Sequence, residues 1–204
     1  MFLNEEALQN SLMYDFTGLF HTLTENDRVI FYYVGHGFHN GVTNYLTTYD
    51  THIQNIATTS ISLRDVFLDP FQKSKCKNAL VFIDACATDI QEKNGRQILS
   101  NIDYSDLELK KNDNLYCAAF FSCQAGQSSY SCDDLAHGIW TYHLINAING
   151  NVDSVIKRDK LITDRVLVDY LSIEVSKYVK EKLGYDQNPK AVLDSDSEFM
   201  IAKL

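Results

Sequence analysis

Apolar residues recur at spacings of three and four from Leu8 through Leu12, Phe16, Leu19 and Phe20 to Leu23, one apolar face of a helix expected over residues 4–24. The period then changes. Residues 29–34 are a continuous β-branched and aromatic run that stops at a glycine, the pattern of a strand buried on both faces. The same pattern returns at 80–83 and 115–121, which predicts three central parallel strands. Between the first two, residues 41–59 are rich in Thr, Asn and Tyr and predict a hairpin or loop, followed by a short helix over 62–71. Helical spacing resumes through Ile139, Tyr142, Leu144 and Ile148, within about 135–148. A last helix begins near Asp164 and closes with Lys180, Lys182 and Gly184, the basic final turn and glycine that stop helices. Alternating strand and helix predicts an α/β fold, a mostly parallel sheet with helices on both faces, in which ligands bind beyond the carboxyl ends of the strands.

Composition narrows the class. A chain of 204 residues with 45% hydrophobic residues can bury one core without staples, and neither a repeat nor a flexible linker divides it, so residues 1–204 read as a single domain. With 18 Lys+Arg against 27 Asp+Glu, the formal charge of -9 repels a phosphate backbone, so no nucleic-acid partner is expected. The opening carries Glu5 and Glu6 where a signal peptide needs a basic start, and no apolar run approaches the roughly 20 residues that span a bilayer. A cytoplasmic protein without a membrane partner is the expectation. Five cysteines, scattered without CxxC pairs, support neither a disulfide framework nor a zinc site, so reduced thiols and no metal are expected.

Two residues carry chemistry. His36 follows one predicted strand and Cys86 the next, so parallel neighbours would present an imidazole and a thiol at one edge of the sheet. A thiol with pKa near 8.5 becomes an effective nucleophile when a histidine takes its proton. The N–H groups of Gly37 and Cys86 are placed to stabilise the oxyanion that forms on attack at a carbonyl. His39, His52, His137 and His143, and Cys76, Cys117, Cys123 and Cys132, have no such partner pattern and read as surface or core residues.

The segments VIFYYVGHG and LVFIDAC resemble the paired motifs of the caspase-like cysteine peptidases, an apolar strand then His-Gly and an apolar strand then Asp-Ala-Cys, with His36 50 residues before Cys86. FFSCQAGQSSYS followed by LAHGIWTYHLINAI is similar to the strand, substrate-binding loop and helix that come next in that family, and the stretch ending DQNPKAVL is similar to its C-terminal helix and Gln-x-Pro turn. The resemblance implies a three-layer caspase-like fold, with a large-subunit-like part over about 1–95, a variable linker over about 89–114 and a small-subunit-like part over about 115–204. Family members open with a strand and helix that are absent here. The first strand of the sheet is therefore expected to be missing, leaving an apolar edge exposed, or to be supplied by an upstream segment or partner chain.

The resemblance also implies a cysteine endopeptidase acting on proteins or peptides. Asp84, two residues before Cys86, is expected to face the substrate pocket. Animal caspases have glutamine there and bind acidic residues with a loop arginine; the corresponding loop here is Ser129, Tyr130 and Ser131, with serine where the arginine falls. A pocket with a carboxylate and no arginine should take Arg or Lys, as in the metacaspases and paracaspases it resembles. The structural alternative is that Asp84 only holds its loop through backbone N–H groups. Asp133-Asp134 and Asp194-Ser195-Asp196 have no spacing that matches a calcium loop, although calcium activates some metacaspases. Lys93, Arg96, Lys110 and Lys111 would make 89–114 either an autoprocessing linker or a solvated loop. Two other readings stand beside the leading one: a catalytically inactive interaction module on the same fold, and a gingipain-like or separase-like peptidase of the same clan.

Overall fold

The computed structural model describes residues 4–86, 102–107, 115–193 and 198–204. In chain order the elements are α1 (Gln9–Thr22), β1 (Arg28–His39), β2 (Asn44–Leu46), α2 (Ile56–Thr59), β3 (Ile61–Ser62), α3 (Asp69–Lys73) and β4 (Asn78–Cys86). They continue with β5 (Tyr116–Phe121), β6 (Ser131–Cys132), β7 (His137–Gly138), α4 (Ile139–Ile148), β8 (Leu161–Thr163), α5 (Asp164–Leu183), β9 (Lys190–Leu193) and β10 (Met200–Lys203).

The fold is the expected α/β type, built on a mostly parallel six-stranded sheet in the order β3-β2-β1-β4-β5-β9. Tyr116 N–H donates to the Lys77 carbonyl at 2.8 Å and Ser122 N–H to the Ile83 carbonyl at 3.0 Å. Both links span 39 residues (116 minus 77, 122 minus 83), so β4 and β5 run parallel. Antiparallel pairing is found toward the edges, β1 with β2, β2 with β3 and β5 with β9. Every residue of β5 is buried, and because successive side chains point to opposite faces, both faces of this strand are covered.

β1 departs from expectation. Its burial alternates, with Ile30, Tyr32 and Val34 exposed at 65%, 49% and 60% while Val29 and Phe31 are buried. An unbroken β-branched run therefore does not mean two covered faces here. The strand also runs past its first glycine to His39, because Gly37, Phe38 and His39 pair with Leu46, Tyr45 and Asn44 of β2.

Contacts divide the described residues into two compact units, one holding 4–29, 35–79, 102–107 and 115–116 and the other 30–34, 80–86, 117–193 and 198–204. In the first, α1 buries Leu12 and Phe20, and the Phe20 ring meets Phe67 edge-on at 5.5 Å, with Phe71 stacked beyond it. Residues 102–107 belong to this unit and are docked, contrary to a solvated loop. Ile102 and Leu107 are buried, and the Asp106 carboxylate accepts from Thr43 Oγ1 at 2.7 Å, Asn44 N–H at 2.8 Å and Arg64 Nε at 3.0 Å. Wholly buried Asn44 exchanges two hydrogen bonds with the Asp103 backbone. The polar segment read as linker thus carries an anchor in its described part; Lys93, Arg96, Lys110 and Lys111 lie outside the described residues.

In the second unit, α4 packs on α5, and Phe82 stacks on Phe120 at 5.0 Å with Trp140 beside it. Gly184 ends α5 in the left-handed conformation, φ 73°, and its N–H closes the helix on the Lys180 carbonyl. The chain that leaves this turn returns to the sheet as β9.

Candidate active site

Asp84 lies near the end of β4, carried inward by the apolar residues before it, and is only 5% exposed. Burying a carboxylate is costly unless its oxygens are satisfied. Here Oδ1 accepts from Ser129 Oγ at 2.6 Å and Oδ2 from Thr141 Oγ1 at 2.5 Å. The Thr141 hydrogen is committed to Asp84, so in its 2.9 Å contact with Tyr32 it is the Tyr32 phenol that donates. Burial pushes the pKa of this half-buried phenol up against the Thr141 hydrogen bond, and the Asp84 charge pushes the same way, which keeps Tyr32 a donor. Gly138 completes the enclosure: a Cβ there would lie 2.7 Å from Asp84 Oδ2. Among the described residues no Lys or Arg forms an ion pair with Asp84. The result is a buried acidic group held by hydroxyls and lacking a cation, chemistry suited to a guanidinium or ammonium ligand.

The loop after β5 supplies the next groups. Ser129 reaches Asp84, whereas Tyr130 turns to another partner, its N–H donating to Gln187 Oε1 at 3.0 Å and its ring stacking on Tyr185 at 5.0 Å. Ser131 is exposed and pairs with Gly138 in the β6–β7 ribbon. Of the three loop residues singled out from sequence, only Ser129 joins Asp84 directly. Thr141, Tyr32, Gly138 and Gln187 were not anticipated as site residues. A hydroxyl among the apolar residues of α4 was the available signal for Thr141; Gln187 was visible only as part of the Gln-x-Pro turn.

His36 is an exposed residue of β1 whose carbonyl accepts from Thr47 N–H at 3.0 Å. Its neighbour Gly37 is buried opposite Leu46, and a Cβ at that position would meet Ile102 Cδ1 at 2.7 Å, so a larger residue there would displace the end of the Ile102 side chain. Cys86 is the last residue of β4. Cys76, Cys117, Cys123 and Cys132 are in no disulfide, and the single Cys76 S–H is shared between the Asp27 and Asn78 carbonyls.

Among the described residues no group of three His, Cys, Asp or Glu is arranged to hold a metal ion; Asp194 and Asp196 lie outside that set. No helix among them is long and apolar enough to cross a membrane.

The family model of the caspase domain, a peptidase family, matches residues 15–198. This chain belongs to the caspase-domain family. A crystal structure of a protein from Geobacter sulfurreducens, determined as a structural-genomics target, has a similar fold, with a TM-score of 0.57 at 15% identity over 94% of this chain and 75% of that one. No curated protein matches the chain. Membership places this caspase domain, at the level of the family, among cysteine peptidases.

Proposed function

We propose that this caspase domain is a cysteine endopeptidase that cleaves proteins or peptides after Arg or Lys. The observation that carries the specificity is buried Asp84, bonded by the hydroxyls of Ser129 and Thr141 and paired with no cation among the described residues. The substrate's guanidinium or ammonium would be the missing cation, with charge-assisted hydrogen bonds to the carboxylate. Loop residues Tyr130 and Ser131 would flank the bound chain.

In the mechanism, His36 removes the Cys86 thiol proton and the thiolate attacks the carbonyl carbon of the basic residue. The carbonyl electrons move to oxygen, where the N–H groups of Gly37 and Cys86 stabilise the charge. Collapse expels the amine, which takes the proton from His36, and leaves a thioester. Water then gives a proton to His36 and attacks the thioester, releasing the acid and restoring the thiol. No metal enters these steps. A reducing compartment such as the cytoplasm suits a chain with free thiols.

Fluorogenic peptides ending in Arg, Lys or Asp, assayed with and without calcium, test the reading. Cleavage after Arg or Lys that disappears in Cys86→Ala and falls roughly ten- to hundredfold in Asp84→Asn is expected, the loss of a charged hydrogen bond being about 1.5–3 kcal/mol. Full activity in Cys86→Ala would remove the catalytic assignment. One observation favours an inactive interaction module instead: the exposed apolar row Ile30, Tyr32 and Val34. Rapid covalent labelling by an electrophilic peptide ending in arginine would decide for the enzyme, since it requires an activated thiolate.

A further inference from the structure

Gln187 sits in the turn between α5 and β9, outside any helix or strand, and is wholly buried. The turn is strapped down on both sides: Ser176 Oγ donates to the Gln187 carbonyl at 2.8 Å, and Asn188 N–H to Gln127 Oε1 at 2.8 Å. The side-chain amide then makes three hydrogen bonds. Oε1 accepts from Tyr130 N–H at 3.0 Å, while Nε2 donates to the Ser122 carbonyl at 2.9 Å and to Ser129 Oγ at 3.2 Å.

Two of these partners are backbone groups with only one possible role, a donor at Tyr130 and an acceptor at Ser122, so the amide can face only one way. Its second N–H hydrogen must therefore point at Ser129 Oγ. That fixes Ser129 as an acceptor toward Gln187 and leaves its own hydrogen for Asp84 Oδ1, 2.6 Å away. On the other side of the carboxylate the order is the same, Tyr32 to Thr141 to Oδ2. Every hydrogen in both chains points at Asp84, and such chains polarise one another in the same sense.

We propose that Gln187 is a positioning residue of the basic-residue subsite, setting through Ser129 the direction of the hydrogen bond that holds Asp84 as an acceptor. The inference rests on the reading of Asp84 as that subsite. In Gln187→Glu, an oxygen replaces Nε2 and competes for the Ser129 hydrogen, turning it from Asp84; Gln187→Met removes the polar group without adding charge.

The experiment measures kcat/KM on the full chain for peptides ending in arginine and in norleucine, which keeps an aliphatic stem and lacks the charged end. The proteins are wild type, Gln187→Glu, Gln187→Met, Ser129→Ala and the Ser129→Ala/Gln187→Met pair. Thermal melts and the rate of Cys86 alkylation by iodoacetamide are recorded for each, the latter reading the thiolate without using the subsite. Both Gln187 variants should lower the arginine-to-norleucine ratio about tenfold, chiefly through KM, with alkylation unchanged. In the Ser129→Ala background, Gln187→Met should change the ratio no further. An unchanged ratio in both variants overturns the proposal. So does an equal fall in both substrates and in alkylation, or loss of folding in both variants, because either assigns Gln187 to scaffold support alone. A wild type that does not prefer arginine over norleucine overturns the Asp84 reading itself, an outcome separate from a wild type that prefers arginine and variants that keep the preference.

Discussion

Gly138→Ala is the smallest change that reaches the buried carboxylate. The new methyl carbon would stand 2.7 Å from Asp84 Oδ2, 3.6 Å from its Cγ and 3.9 Å from Thr141 Oγ1. The backbone does not object, since Gly138 has φ -55° and ψ 139°, which alanine adopts freely. The clash is therefore the main perturbation, beside the roughly 0.5–1 kcal/mol by which alanine is the poorer N-cap. Asp84 is not a free end that can swing away, because both oxygens are tied to hydroxyls. Relief requires breaking the Thr141 bond or moving the start of α4, and a hydrogen bond to a charged group is worth about 1.5–3 kcal/mol. A net loss of about 2 kcal/mol should lower the melting temperature by roughly 4–8 °C in a domain of this size. Thermal melts of Gly138→Ala, Asp84→Ala and the double variant measure it, and once Asp84 is shortened the penalty of Gly138→Ala should shrink to the N-cap cost alone. A single variant as stable as wild type, or a penalty that persists undiminished in the Asp84→Ala background, would refute the enclosure of Asp84 by Gly138.

Three further outcomes are expected. Cys86→Ala should abolish peptide cleavage while leaving the melting temperature within about 2 °C of wild type, since the change trims one sulfur at a strand end. Arg64→Ala should cost about 2 kcal/mol by melting, discounted because the guanidinium is one-third exposed, since it removes a 2.9 Å ion pair from Asp106, whose side chain is 10% exposed. Burial holds the His143 imidazole below its usual value despite the nearby Glu174 carboxylate, while Tyr142, Tyr170 and Tyr178 face its ring. The unfolded chain then binds the extra proton first, so stability should fall as pH drops below about 6.5, and melts of His143→Gln should show a shallower fall.

The long elements were legible because each carries its own period. The buried runs of β4 and β5 and the lysine and glycine stop of α5 stand where the pattern puts them, while α1 spans Gln9–Thr22 and buries only Leu12 and Phe20 of its apolar face, Leu8 and Leu19 being exposed. Exposure on β1 was not legible, since Ile30, Tyr32 and Val34 look the same in sequence whether or not another element covers them. Strands β6 to β10 were missed for a different reason: with two to four residues each, they are shorter than a period can mark. At the site, Asp84 and Ser129 were readable from their places beside a motif. Their partners were not, because Thr141, Tyr32 and Gln187 reach them across 57, 109 and 58 positions of chain, in the last two cases through an intermediate hydroxyl or as its donor. Only folding brings such residues together, and no local spacing encodes it.

The choice between a structural and a ligand-binding Asp84 can be argued from the chain's other aspartates. Asp27, Asp50, Asp103, Asp106 and Asp164 each accept from at least one backbone N–H, those of Thr24, Gln9, Ser105, Asn44 and Arg165 in turn. Asp164, as buried as Asp84, accepts a second from Phe199. These carboxylates hold turns, caps and anchors, and they do it by fixing main chain. Among the described residues, Asp84 accepts only from side-chain hydroxyls. A hydroxyl rotates where a backbone N–H cannot, so it can turn away and free the carboxylate lone pair for a stronger donor whose hydrogen bond replaces the one lost. A residue selected to hold a loop would gain from the first kind of partner. One that must exchange part of its shell for an incoming guanidinium would gain from the second, and that is the kind Asp84 has.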